Sequence, residues 1–280
     1  MKKMISLLTV AAMCLLLLCS CSGPAATAKV VDIDLTQEDY AFGVDKTQPE
    51  LSTKVDAFID KIMGDGTFDE ICDHYFGDGT PAEVVSAAKD SSKAQLVVAT
   101  NAAFEPFEYK LGDNYTGIDM EIAGLLAKEL GLELVIDNMD FDAVCLSVGQ
   151  QKADIAMAGL TVKEDRKEHV NFSKTYYKAS QRIIVKEGDT TFDDCTTADE
   201  VLAKLQAMDS TVKIGFQNGT TGAMYVKNEG DYASNNLKVT GVGYKNGSLA
   251  VQDLLNGNID YVVVDAAPAD CIVEALTANA

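Results

Sequence analysis

From Gln95 onward, short β-rich runs alternate with amphipathic helical stretches, and this alternation restricts the chain to an α/β architecture. QLVVAT (95–100), LELVID (132–137), DIAMAG (154–159), SQRIIVKE (180–187), TVKIGF (211–216), LKVTGV (237–242) and YVVVD (261–265) read as strands. Between them, Ile118, Ile122, Leu125, Leu126 and Leu130 share one helical face, and Gly131 supplies a left-handed stop. Phe141 to Gln151 and stretches near 220–228 and 248–256 continue the helical pattern, and a last helix follows Pro268. Thr197-Ala-Asp-Glu200 has the spacing of a capping box. Near-continuous apolar strands predict largely parallel sheets covered on both faces.

The front of the chain has a different grammar. KVVDIDL (29–35) and YAFGV (40–44) are expected strands, and Pro49 to Met63 an amphipathic helix with Pro in its first turn. Gly64-Asp-Gly66 ends it, and Thr67-Phe-Asp-Glu70 predicts a second capping box opening a helix to about Phe76. The polar stretch 78–94 reads as a linker holding a helix from Ala82 to Lys89.

Lys2 and Lys3 precede an apolar run from Ile5 to Leu18, then Leu18-Cys19-Ser20-Cys21, the pattern of a lipoprotein signal with Cys21 as the lipidated residue. The competing reading is a retained N-terminal anchor. Residues 22–28 form a short tether. A formal net charge of −20 argues against a nucleic-acid partner, which needs a basic face. Cys72, Cys145, Cys195 and Cys271 are widely spaced without a C-x-x-C pair, so no zinc site is expected; three fall in helical patterns and suit packing as small hydrophobes, with a disulfide left open. His74 and His169 are the only histidines, which limits histidine-based catalysis. Gly241-Val-Gly243 lacks a phosphate-loop context and reads as a turn.

AMAGLTVKEDRKEHVNFS (156–173) carries the clearest chemistry. A buried run ending in Gly159 and Thr161 leaves backbone N–H groups at its mouth, Gly159 permits close approach, and Arg166 adds a planar fork of donors suited to a carboxylate. A solvated charged turn is the alternative. Asp265 ends the run Val262-Val263-Val264, as a helix cap or as a ligand contact.

Taken together, ATNAAFEPFEY (99–109), GIDMEIAGLLAKELG (117–131), MDFDAVCLSV (139–148), AGLTVKEDRKEHVNFSKTYY (158–177), GFQNGTTG (215–222) and YVVVDAAPA (261–269) resemble the extracellular solute-binding proteins of polar amino-acid ABC importers. The resemblance implies a two-lobed, type II periplasmic-binding-protein fold with the ligand between the lobes. It departs from family order at both ends. The strand, hinge strand and helices expected after YVVVD are absent there, and residues 29–77 look like that missing end. A circular permutation follows, with residues 78–94 joining the old termini and the new ones falling near Asn279 and Lys29. Lobe 1 would then span 40–178, lobe 2 would take 29–35 and 180–280, and hinges would lie near 36–39 and 175–180. An unrelated N-terminal extension is the competing reading.

The resemblance places Arg166 on the ligand's α-carboxylate, with N–H groups near Gly159 and Thr161, and adds Thr221 from the opposite lobe. It puts Asp265 on the α-ammonium, Phe104 and Phe141 beside the ligand's side chain, and Asn101 and Gln217 at its variable end. Core packing is the alternative for the two phenylalanines. An amide at Asn101 cannot neutralise a cation, which favours glutamine or cystine; arginine stays open through Glu105, Glu108 or Asp140. The family reading implies an ABC permease with its ATPase as partner, a monomer held at the outer face of the membrane or in the periplasm, and neither cofactor nor metal. The rivals are a sensor that passes occupancy to a signalling partner, and an enzyme of the cyclohexadienyl dehydratase type on the same scaffold.

Overall fold

The computed structural model describes residues 26–277. The signal segment with Cys21, the start of the tether and the terminus beside Asn279 lie outside the described residues. In chain order, β1 (Ala28–Val31) and β2 (Glu38–Asp45) precede α1 (Pro49–Asp65) and α2 (Thr67–Phe76). There follow β3 (Gln95–Thr100), β4 (Ala103–Phe104), β5 (Glu108–Leu111), β6 (Asn114–Thr116), α3 (Ile118–Leu130), β7 (Glu133–Asn138), α4 (Phe141–Gly149) and β8 (Ile155–Ala156). The short α5 (Glu164–Lys167) leads to β9 (Val170–Ala179), β10 (Gln181–Lys186), α6 (Ala198–Ala207), β11 (Lys213–Gln217) and α7 (Thr221–Lys227). After a 3-10 turn at Gly230–Asn235 come β12 (Thr240–Tyr244), α8 (Gly247–Leu255), β13 (Tyr261–Asp265) and α9 (Ala266–Thr277).

These elements build two five-stranded sheets, ordered β7-β3-β8-β2-β9 and β1-β10-β13-β11-β12, with a small β4-β5-β6 sheet at the side. The expectation of largely parallel sheets needs correction. Each sheet is parallel on one side (β7-β3-β8 and β13-β11-β12) and antiparallel on the other. The antiparallel strands are those that carry the chain from one sheet to the other. Residues 32–37 lead from β1 in one sheet to β2 in the other, and Ser180 alone separates β9 from β10. These two crossings run side by side, joined by the Leu35 N–H on the Gln181 carbonyl at 2.9 Å and by the Glu38–Ala179 register.

Helices cover both sheets. Ile118, Ile122, Ala123 and Leu126 of α3 are fully buried, and Gly131 caps the helix in the left-handed region at φ 68°. The capping box at Thr197 is formed on both sides. The one expected at Thr67 is not: Gly66 occupies the cap position, and the Thr67 N–H is taken by the Asp65 carboxylate at 3.0 Å. The expected helix over 82–89 is also absent. Val84 bridges to Tyr115, the Ala87 N–H reaches the Leu134 carbonyl at 2.9 Å, and Ser86 Oγ accepts the Ile136 N–H at 2.8 Å. The segment lies extended beside β7, the edge strand of its sheet, where pairing covers backbone groups that would otherwise be open. Gly241 and Gly243 stand in strand β12 rather than a turn; side chains there would strike Phe216 and Asn218. The four described cysteines are free, with Cys72, Cys145 and Cys271 on helices. Among the described residues no helix is long and apolar enough to cross a membrane.

Candidate functional site

The two sheets present the carboxyl ends of their parallel strands to each other. Gln217 closes β11 and Asp265 closes β13; Asn101 follows β3, and Gly159 follows β8. That is where open α/β sheets offer backbone groups to ligands. A cavity there is lined by Phe104, Phe141, Gly159, Thr161, Arg166, Gln217, Thr220, Thr221 and Asp265. Eight of the nine residues singled out from the sequence therefore converge on one space. The ninth, Asn101, stands at its border, where its Oδ1 accepts from Gln217 Nε2 at 3.0 Å while its own amide donates to the Met139 carbonyl at 2.6 Å.

Arg166 is buried at the end of α5. One guanidinium nitrogen donates to the Thr161 carbonyl at 2.8 Å and another to the Gly219 carbonyl, on the facing layer, at 3.1 Å. Its guanidinium carbon lies 5.2 Å from the Phe141 ring centroid. Gly159 adopts φ +53°, and a side chain there would strike Phe104 and Tyr40, so the turn that opens the site requires glycine. Thr220 caps α7 through its hydroxyl and Thr221 begins that helix, its hydroxyl donating to Thr161 Oγ1 across the cleft at 3.2 Å. The remaining free cavity is about 10 Å³, room for about one water.

Negative groups crowd the other side. Asp265 is buried and its pKa is pushed up to about 7, first by burial and then by the nearby Glu38 carboxylate. Asp119 is likewise raised to about 7 by burial, although it accepts the Gly159 N–H at 2.9 Å and the Tyr176 hydroxyl at 2.6 Å. Glu108 is fully buried, neither oxygen has a hydrogen-bond partner, and burial with Asp119 and Asp265 nearby holds it well above the usual carboxylate range. None of the three acids considered for a cationic ligand, Glu105, Glu108 and Asp140, lines the cavity. Asp140 is exposed and lies 3.8 Å from Lys245 across the rim, and a second rim pair joins Lys163 to Asp231 at 2.7 Å.

Sequence reasoning missed three groups. Thr220 has the signal of an N-cap before an apolar stretch. Glu38 and Tyr40 have no local signal: their partners, Thr161 and Asp265, are far off in the chain.

A two-sheet α/β fold with a buried arginine and a buried aspartate lining one cavity between the sheets defines the class of two-lobed periplasmic binding proteins, type II. The chain belongs to the bacterial extracellular solute-binding proteins, family 3, whose sequence profile matches residues 96–265. An arginine-binding extracellular protein of Bacillus subtilis is 37% identical over 102 residues, covering 36% of this chain and 40% of that one. A probable histidine-binding protein of Neisseria gonorrhoeae is 29% identical over 171 residues, covering 61% of this chain and 58% of its own length. The chain thus spans less than two-thirds of these curated relatives. Among solved structures, an ancestral arginine-binding protein bound to arginine is 33% identical with a TM-score of 0.56, over 66% of this chain and 76% of that one. An ancestral amino-acid-binding protein described as a precursor of cyclohexadienyl dehydratase reaches 29% identity and the same TM-score, over 65% of this chain and 75% of its own.

Proposed function

We propose that the chain captures one polar amino acid between its two lobes and delivers it to an ABC permease and its ATPase, held at the outer face of the membrane by a lipid on Cys21. The observation that carries this reading is the placement of Arg166, on α5, and Asp265, at the end of β13, opposite charges that are buried and line one cavity. A zwitterion is the ligand whose two charges such a pair answers. Arg166, Thr221 and the N–H groups near Gly159 and Thr161, apart from the Gly159 N–H that Asp119 already takes, hold the carboxylate; Asp265 takes the α-ammonium; Phe104 and Phe141 flank the side chain; Asn101 and Gln217 meet its far end. Because the free cavity is about 10 Å³, an amino acid enters only when the lobes separate. Hinges at 36–39 and 175–180 fit that motion, with lobe 1 over 40–178 and lobe 2 over 29–35 and 180–280. A ligand that touches both lobes shifts the population toward the closed form.

We also infer a circular permutation. It is supported by the profile match stopping at residue 265, and by the residues before it supplying a strand to one sheet, a crossover strand to the other, and two helices. The amide pair at the far end favours glutamine or cystine. Arginine is the second reading, favoured by the arginine-binding proteins among those the chain resembles. Thermal unfolding of the mature chain against the common amino acids, cystine and prephenate tests the proposal. A ligand at a hundred times its Kd stabilises by about 2.7 kcal/mol, a rise of roughly 2–4 °C. A rise with one or a few amino acids supports the binder; turnover of prephenate would replace it with the enzyme.

A further inference from the structure

The crossover strand β2 lies outside the span matched by the family profile, yet two of its side chains bond to residues that line the cleft. Glu38 is buried and its carboxylate takes three donors: Thr161 Oγ1 at 2.5 Å, Thr36 Oγ1 at 2.7 Å and Gln181 Nε2 at 3.0 Å. Two residues further along the same face of the strand, the fully buried Tyr40 hydroxyl donates to Asp265 Oδ1 at 2.5 Å. A threonine hydroxyl can donate or accept, and its rotor decides which. With its hydrogen given to Glu38, the Thr161 oxygen has only lone pairs to offer the cleft, and it already receives the Thr221 hydroxyl at 3.2 Å. An acceptor fixed in this way, beside the Asp265 carboxylate in one cavity, suits a group rich in N–H donors.

We propose that β2 completes the amino-acid site: Glu38 and Tyr40 are positioning residues that fix Thr161 and Asp265 as the acceptors of the ligand's α-ammonium. The inference rests on the amino-acid-binding reading and deepens it. It assigns a role to residues 38–40, outside the matched span, because one strand reaches both acceptors: Glu38 bonds to Thr161, in the loop after β8, and Tyr40 bonds to Asp265, at the end of β13 in the other sheet. Three polar contacts on Glu38, one of them back to Gln181 at the start of β10, tie that alignment to the relative position of the lobes.

The test measures affinity from pH 5 to 9 for L-glutamine, L-cystine and L-arginine, using the full mature chain and the variants Glu38→Gln and Tyr40→Phe, with thermal unfolding as the check on folding. The titratable groups acting on Asp265 are Glu38 and Tyr40 from β2, Glu108 from β5 and Tyr232 from the 3-10 turn; Gln181 is its pairing partner across β10 and β13, and Arg166 shares its cavity. Wild-type affinity rises as Asp265 ionises. Glu38→Gln removes a neighbouring negative charge and weakens binding roughly 10- to 100-fold, while the midpoint of the pH profile moves down. Tyr40→Phe removes a donor to the carboxylate and weakens binding roughly 5- to 10-fold, while the midpoint moves up. Opposite displacements distinguish positioning from general damage to the fold. Unchanged affinities, or midpoints that move together or stay fixed in folded variants, overturn the role of β2. A wild-type chain that binds none of the three amino acids refutes the binding reading itself, and this inference with it.

Discussion

Replacement of Arg166 by alanine bears directly on the proposed carboxylate subsite. The side chain is buried, spans the cleft through the Thr161 and Gly219 carbonyls, and lies over the Phe141 ring. It supplies the one full positive charge among the residues lining the cavity. Truncating one partner of a buried, hydrogen-bonded charge pair costs about 2–5 kcal/mol. The Thr221 hydroxyl and nearby N–H groups would still hold part of the carboxylate, which places the loss near the middle, about 3–4 kcal/mol, or roughly 200- to 1,000-fold in Kd. Arg166→Lys retains a charge but not the planar fork that meets two carbonyls and a carboxylate together, so a loss of roughly 10- to 50-fold is expected. Isothermal titration with the amino acid that gives the largest thermal shift reads both numbers, and circular dichroism checks that the variants fold. A folded Arg166→Ala protein with a Kd within about threefold of wild type would refute the carboxylate assignment.

Other outcomes follow from the same geometry. Asp119 and Asp265 hold their protons more tightly in the fold than in the unfolded chain, both being raised to about 7. Their contribution to the stability of the unliganded protein is therefore full below the ordinary carboxylate range and lost as pH rises through about 7, which melting curves between pH 4 and 8 would register. Glu108→Met replaces a buried, unpartnered carboxyl with an apolar chain of similar length, and should raise stability by about 1–3 kcal/mol in urea titrations; a loss of stability would mean that Glu108 has a polar partner. Gly159→Ala sets a methyl against Phe104 and Tyr40 at positive φ, so it should cost about 1–3 kcal/mol of stability and lower ligand affinity in the same preparation.

Elements governed by local chemistry were legible in the sequence. The α3 stripe, its Gly131 stop, the Thr197 capping box and the apolar run into Asp265 each place their signal within a few residues. Tertiary context overrode the local signal elsewhere. Ala82 to Lys89 has helical composition, but its backbone groups are claimed by Tyr115 and by the edge of β7. Thr67 lies inside its helix because Gly66 takes the cap position. Antiparallel pairing went unforeseen because strand direction is set by the two crossings, which no apolar run records. In the site, residues on recognisable motifs converge on one cavity, while Glu38 and Tyr40 stayed hidden, since their partners lie 123 and 225 positions away.

The most direct measurement is calorimetric titration of the mature chain, stripped of bound ligand by unfolding and refolding, with glutamine, cystine and arginine in turn. The account predicts saturable one-to-one binding of at least one of them, lost on Arg166→Ala. Absence of binding heat with all three at two temperatures, from a chain that unfolds cooperatively, would contradict it.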